Sequence, residues 1–297
     1  MNRLGSTAIG GATRAWYTSR MDISEARRRG ALFRDLHAKP EIVVLPNPWD
    51  AGSARLFENL GFRGLATTSA GLAFALGRRD GDGSVSADET FTHLASLLAV
   101  TRIPITADLE NGFGAAPEVV AATIRRAGEL GLSGASVEDA TLCDGEPLYE
   151  RSLAAERICA AVEAAHALPY PFVLTARAEN FVRGRPDLDD ALARLEAYER
   201  AGADVLCAPF LPDERAIRLA CATLTKPVHY IAGRTRFTVP ELAAMGVRRV
   251  TVGASLARTA LAATLRAARE ILERGTFTCF DGLPSVADFN ELIMPER

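Results

Sequence analysis

The sequence predicts a (β/α)8, or TIM, barrel: eight parallel strands alternating with helices. Its 297 residues are near the usual size of one such barrel. Eight short, nearly continuous apolar runs recur, at residues 42–46, 64–68, 103–107, 134–137, 172–176, 204–208, 227–231 and 249–252. Strands buried on both faces read this way, and each run is followed by a longer amphipathic stretch suited to a covering helix. An open doubly wound sheet is the competing arrangement, and eight strand–helix units favour closure.

Taken in order, residues 22–37 read as a helix ahead of the first strand. Residues 49–60 form the helix after the first strand, and 88–100 the helix after the second, which it follows by a long loop. The helix at 117–130 has Pro117 just inside its start and Gly131 just past its end, the usual punctuation. Helices at 152–168, 188–201, 213–223, 239–245 and 255–273 complete the set. Four of the helices end at glycine before the next strand, in Leu60-Gly61, Leu130-Gly131, Ala201-Gly202 and Met245-Gly246, where a left-handed residue closes the last turn. A further short helix at 286–292 is placed to pack outside the barrel or on a neighbouring subunit. The expected division is a poorly ordered arm at 1–21, a catalytic barrel at 22–275 and a tail helix at 276–297.

Composition excludes several classes. The chain is 48% hydrophobic and 24% charged, with a net charge of −3, so it can bury a large core without a basic cluster for nucleic acid. No apolar run approaches the roughly 18–20 residues of a membrane span, and residues 1–20 lack the apolar region of a signal peptide. The five cysteines (Cys143, Cys159, Cys207, Cys221, Cys279) are scattered and never spaced as CxxC, which argues against a disulfide framework or structural zinc and fits a reducing cytoplasm. Of the 34 lysines plus arginines only Lys39 and Lys226 are lysines, and both precede strands. They belong at the end of the barrel away from the chemistry, which excludes an imine-forming aldolase.

Reactive groups in such barrels gather at the C-terminal ends of the strands. There the sequence places Asn47, Thr68-Ser69, Asp108-Leu109-Glu110, Glu138-Asp139 and Arg177-Ala178-Glu179. Acids this close repel unless protonated or neutralised by a cation. Oxygen ligands without histidine or thiolate favour Mg2+ or Mn2+ over zinc. Alternation along a strand lets Asp108 and Glu110 both face inward, and Arg177 offers a planar fork to a substrate carboxylate. The competing reading is a set of solvated acids, or acids paired with Arg177. Asp80-Gly81-Asp82-Gly83 resembles an EF-hand start but fails at Val85 and Phe91, so a plain turn is expected. His37 and His166 read as helix-end residues and His229 as a core residue of the seventh strand; with His93 they form no ligand spacing. No dinucleotide fingerprint and no GxSxG elbow occur.

Several segments together carry a resemblance: Asn47-Pro48-Trp49-Asp50-Ala51-Gly52-Ser53-Ala54, Thr67-Thr68-Ser69-Ala70-Gly71, Leu76-Gly77-Arg78-Arg79-Asp80-Gly81, Asp108-Leu109-Glu110-Asn111-Gly112-Phe113-Gly114, Val137-Glu138-Asp139 and Ala176-Arg177-Ala178-Glu179. In this order they resemble the isocitrate lyase/phosphoenolpyruvate mutase superfamily over about residues 45–268. The resemblance implies Asp108 as direct metal ligand, with Asp80, Glu110 and Glu138 holding the metal through water, and so moves Asp80 from a plain turn to the site. It implies Arg177 and the segment around Ser69 and Ala70 as substrate-binding, with Asn47 and Thr68 beside them. It also implies homo-oligomers, dimers or tetramers, that often exchange the last helix between subunits. The lyases' basic Cys-Gly-His loop is missing: residues 140–149 read Ala-Thr-Leu-Cys-Asp-Gly-Glu-Pro-Leu-Tyr. Cys143 therefore reads as a loop cysteine, and the short loop is similar to decarboxylase-type members.

The expected activity is Mg2+-dependent carbon–carbon cleavage or decarboxylation of a small 2-oxo or 2-hydroxy acid through a pyruvate-like enolate, with Arg177 and Glu179 as the catalytic pair. The alternatives are a phosphonate mutase or phosphonopyruvate hydrolase, and a metal-dependent carboxylate binder without turnover. A glycosidase also pairs acids on a barrel rim, but the two tryptophans, Trp16 and Trp49, are too few for a sugar-stacking cleft.

Overall fold

The computed structural model describes residues 22–142, 145–233 and 236–294. The expected arm at 1–21 and Cys143 lie outside them. Helix α1 (Ile23–Ala38) precedes β1 (Val43–Leu45), α2 (Ala51–Asn59) and β2 (Leu65–Ala66). Two helices follow, α3 (Ser69–Ala75) and α4 (Ala87–Val100), then β3 (Ile105–Asp108), α5 (Pro117–Leu130), β4 (Gly134–Glu138) and α6 (Arg151–His166). The series continues through β5 (Val173–Arg177), α7 (Leu188–Arg200), β6 (Val205–Cys207), α8 (Glu214–Thr223), β7 (Val228–Ile231), α9 (Val239–Ala244) and β8 (Arg249–Thr251). It ends with α10 (Ser255–Arg274), a 3-10 turn (Thr278–Phe280) and α11 (Val286–Ile293).

All eight apolar runs are strands of one sheet, ordered β1-β8-β7-β6-β5-β4-β3-β2, and every ladder is parallel. The (β/α)8 barrel is therefore present, nearly closed, with its seam between β1 and β2. The N–H of Ala66 donates to Pro46 O across that seam at 3.1 Å. Asn47 reinforces it: its Nδ2 donates to Thr67 O at 2.9 Å, and its Oδ1 accepts the N–H of Val252 at 2.8 Å. One buried amide thus joins the ends of three strands.

The glycines after α5 and α7 and those at 61 and 246 all have positive φ, from 90° to 104°, as expected of helix closure. One helix was not expected. The seven residues of α3, Ser-Ala-Gly-Leu-Ala-Phe-Ala, span two turns, too few for an apolar period to register against the loop after them. Thr68 starts it, its Oγ1 accepting the N–H of Gly71 at 3.2 Å.

Helix α1 closes the N-terminal end of the barrel. Its Phe33 and Leu36 pack with Val43, Leu45, Ala66, Val173 and Val205. Gly30 lets it approach closely, since a Cβ there would lie 2.2 Å from Pro171 O. The main core lies between sheet and outer helices, where Leu94, Leu97, Ile105, Leu109, Ile124 and Leu132 are all fully buried. Each such side chain contributes about 1.5–3 kcal/mol. Lys39 follows α1, and Lys226 lies beside Pro227 in a hollow at the same N-terminal end. Helix α11 packs on α2 of its own chain, with Asn59 Nδ2 donating to Leu292 O and Ile293 O at 2.8 and 2.9 Å.

Candidate active site

The parallel ladders bring three strand ends together. Asp108 ends β3, Glu138 ends β4 and Arg177 ends β5, and Glu138 and Arg177 are register partners. Arg177 is the hub. Its Nη1 donates to Asp108 Oδ1 at 3.0 Å, its Nη2 lies 2.8 Å from Glu179 Oε1 and 3.1 Å from Glu138 Oε2, and its Nε donates to Glu179 Oε1 at 3.1 Å. Burial works against its charge, but Glu179, Glu138 and Asp108 more than offset that and hold its pKa far above the usual guanidinium value. The fork expected to grip substrate is thus already engaged by the protein's own acids.

Asp108 is fixed from three further sides. Its backbone N–H donates to Thr67 Oγ1 at 2.9 Å, and its Oδ2 accepts from Ser69 Oγ at 3.0 Å and Ser69 N at 3.3 Å. Glu110 reaches the site by a route the sequence reading did not anticipate. The strand stops at Asp108, so alternation does not carry on to Glu110. Instead Glu110 sits in a turn at φ 48°, a left-handed conformation uncommon outside glycine. Its N–H donates to Asp108 Oδ1 at 3.3 Å and its carbonyl accepts the N–H of Glu138 at 2.9 Å.

The charges do not balance. Asp80, Asp108, Glu110, Glu138 and Glu179 face Arg177 and Arg183, with Arg183 Nη2 donating to Glu138 Oε1 at 3.4 Å. Burial, then the charges of Asp108 and Asp80, push Glu110 up to about 7. Burial and Glu179 raise Glu138 well above the carboxylate range. Asp80 is raised by burial and by Asp108. Burial raises Glu179 despite the opposing pull of Arg177. Such crowding is the condition under which carboxylates take up protons or a cation.

Among the described residues, no three carboxylate, histidine or cysteine side chains converge as a ready-made coordination shell. Carboxylates gathered this loosely, with no histidine or thiolate among them, suit a hard dication that keeps several waters. The all-oxygen set around Asp108, with Asp80, Glu110 and Glu138 near it, therefore fits Mg2+ or Mn2+ and fits zinc poorly.

A cavity of about 410 Å3 opens beside these groups; its lining includes Asn47, Thr68, Ser69, Ala70, Asp80, Asp108, Arg177 and Glu179. Glu110 and Glu138 are not among the lining residues and reach it through their contacts with Asp108 and Arg177. Phe74, Val182 and Phe210 give it an apolar wall. Both ends of the Asn47 amide are taken by backbone, so at this site its first role is to hold the barrel mouth in shape.

Sequence reasoning missed a supporting layer. Asp139 is 3% exposed and points away from the cavity. It accepts from Glu179 N at 2.8 Å, Tyr198 Oη at 2.6 Å and Arg194 Nη1 at 3.2 Å. Arg183 and Arg249 were also missed. Arginines are frequent in this chain, and nothing in its pattern separates these two from the rest.

The match to a family model, phosphoenolpyruvate phosphomutase, covers residues 33–272. The 2-methylisocitrate lyase of Aeropyrum pernix is 27% identical over 279 residues, 90% of this chain and 87% of that one. The crystal structure of a Burkholderia cenocepacia protein, provisionally described as a lyase/mutase, is 48% identical, with a TM-score of 0.88 over 91% of this chain and 97% of that one. Oxaloacetate acetylhydrolase, solved with its product oxalate, is 26% identical, with a TM-score of 0.80 over 91% of this chain and 94% of that one.

Proposed function

This chain belongs to the isocitrate lyase/phosphoenolpyruvate mutase superfamily of enzymes, and we propose that it is a Mg2+-assisted carbon–carbon lyase or decarboxylase of a small 2-oxo or 2-hydroxy acid. The observation that carries this reading is the crowding of Asp80, Asp108, Glu110 and Glu138 around one mouth, with Arg177 and Ser69 bound directly to Asp108. Asp108 is the proposed direct ligand, and the other three acids hold the ion through water. When bound, Mg2+ supplies Lewis acidity to the substrate's carboxylate and 2-oxo oxygens, typically worth several kcal/mol.

The chain's own residues do the rest. Arg177 and the backbone N–H groups near Ser69 and Ala70 are the proposed donors to the carboxylate end, Arg177 and Ser69 sharing with it the hydrogen bonds they give Asp108, and Asn47 and Thr68 fix the segment that carries them. Donors preset around a developing enolate stabilise it without reorganising. Phe74, Val182 and Phe210 exclude water from the cleaving bond, C3–C4 in a 2-oxo acid and C2–C3 in a 2-hydroxy acid, each of which leaves the carbanion at C3. Glu179, whose burial favours its protonated form, is the group proposed to return a proton to C3.

Residues 22–275 act as the catalytic barrel in this reading and 276–297 as its tail. A homo-oligomer is part of this proposal, supported by α10, which buries only Ala257 and leaves Leu261, Leu265 and Leu272 exposed. No helix among the described residues is long and apolar enough to cross a membrane; the cytoplasm remains the proposed setting. A product screen by mass spectrometry with Mg2+ and oxaloacetate, methylated malates and phosphonopyruvate tests the reading. Cleavage of a carbon acid supports it. Turnover of phosphonopyruvate alone favours the mutase or hydrolase alternative, and binding without turnover favours a carboxylate-binding protein.

A further inference from the structure

The barrel contains a second inward-facing arginine whose charge is unanswered. The register runs Glu138, Arg177, Cys207, His229, Arg249 across five adjacent strands, so these residues share one row. Side chains of one row point to the same face of a sheet, here the interior. At one end of the row Arg177 meets three carboxylates. At the other, Arg249 is 2% exposed and meets none among the described residues. Its Nη1 donates to Thr175 Oγ1 at 3.0 Å, and its guanidinium carbon stands 6.0 Å from the centre of the Phe33 ring. Burial lowers its pKa to about 10, so it is still charged at neutral pH.

The neighbouring polar atoms are also short of partners. Arg249 Nε, His229 Nδ1 and Thr106 Oγ1 are all buried with no hydrogen bond. His229 uses its Nε2 on Thr251 Oγ1 at 2.9 Å. Cys207, held up to about 12 by burial, stays a neutral thiol. Arg249, His229 and Thr106 all line the same cavity as Asp108 and Arg177. Most buried polar atoms in native proteins are paired, and an unpaired buried cation is costly. Three unpaired polar atoms and an unanswered charge on one cavity wall are what an acceptor-only, negatively charged group would complete.

We propose that Arg249, with His229 and Thr106, is an anion subsite in the interior of the cavity that holds the second carboxylate of a dicarboxylic substrate. The proposal rests on the reading of the acid-lined mouth as the site of the carboxylate and 2-oxo end, and it narrows the substrate class to 2-oxo or 2-hydroxy diacids. A free inorganic anion would meet the same groups but would bind regardless of the organic ligand.

The test compares ligands that differ only at the far end. Binding of pyruvate, oxaloacetate and 2-oxoglutarate is measured calorimetrically with Mg2+ on the full-length protein, with oxalate as the reference that has no distal group. The diacid of fitting length should bind about 10- to 100-fold more tightly than pyruvate, the worth of one charge-assisted contact. Arg249→Met should erase that preference while shifting oxalate affinity less than about twofold. The same variant should raise Tm without ligand, because it removes a buried charge that nothing neutralises; a merely structural arginine would give a fall. Arg249→Lys keeps the charge but loses the fork, and serves if the methionine variant does not fold; it should retain part of the preference. A diacid preference that survives Arg249→Met, or is undiminished in Arg249→Lys, overturns the proposal, as does the absence of any diacid preference, or chloride binding alone. Failure of the mouth reading is distinct, because unaltered protein would then show no Mg2+-dependent oxalate binding at all.

Discussion

Asp139 Oδ1 accepts the backbone N–H of Glu179 at 2.8 Å. Two consecutive acids thus take opposite roles: Glu138 faces the site, while Asp139 turns outward and fixes where Glu179 sits. Tyr198 and Arg194 hold Asp139 in turn. Asp139→Asn cannot satisfy these donors together. It should lower kcat at least tenfold with little change in KM, and cost about 1–3 kcal/mol of stability, read from steady-state kinetics and urea denaturation. Equal activity in the variant would remove Glu179 positioning from the mechanism.

Arg177 neutralises three acids at once. Arg177→Met should destabilise the metal-free protein by up to about 3–5 kcal/mol at neutral pH, since three buried acids lose their cation and must repel one another or take up protons. Added Mg2+ should recover part of that loss. Thermal melts with and without excess Mg2+ check both halves.

Burial pulls His37 and His93 down to about 4 from 6.5. The unfolded chain therefore binds more protons than the folded one between these values, and stability from these residues is full above pH 6.5 and lost as pH falls toward 4. Each contributes at most about 1.4 kcal/mol per pH unit in that window. The raised carboxylates act in the opposite sense, so the histidine share is read by difference. His93→Gln should flatten the rise of the urea midpoint between pH 4 and 6.5; an unchanged slope would mean that His93 is protonated in the fold.

Much of this architecture was legible in the chain. Runs such as 134–137 and 172–176 could only be strands buried on both faces, and the glycines at 61, 131, 202 and 246 marked where helices stop. The same double burial hides side-chain direction. In a strand with two apolar faces nothing in the sequence says that Arg249 points inward, or which of the neighbours Glu138 and Asp139 faces the site. Asp108 and Arg177 were legible because they close their strands. Glu110 was expected to continue an alternation that ends two residues earlier, and only its left-handed turn brings it to the site. Seven residues of α3 left no period long enough to read.

Helix α10 leaves Leu261, Leu265 and Leu272 exposed, at 50%, 51% and 86%. A face of this kind is expected to be covered by another copy of the chain. Sedimentation should give a mass that is a multiple of 31.8 kDa, and Leu265→Glu with Leu272→Glu should shift it toward the single chain. A monomer in the unaltered protein would contradict the oligomer.

The most direct measurement is a calorimetric titration of Mg2+ into the unaltered protein and into Asp108→Ala, each with oxalate present. The unaltered protein should take up one ion per chain, and the variant none within the same concentration range. Equal uptake by both, or uptake by neither, would contradict the assignment of the acid-lined mouth as a metal-assisted active site.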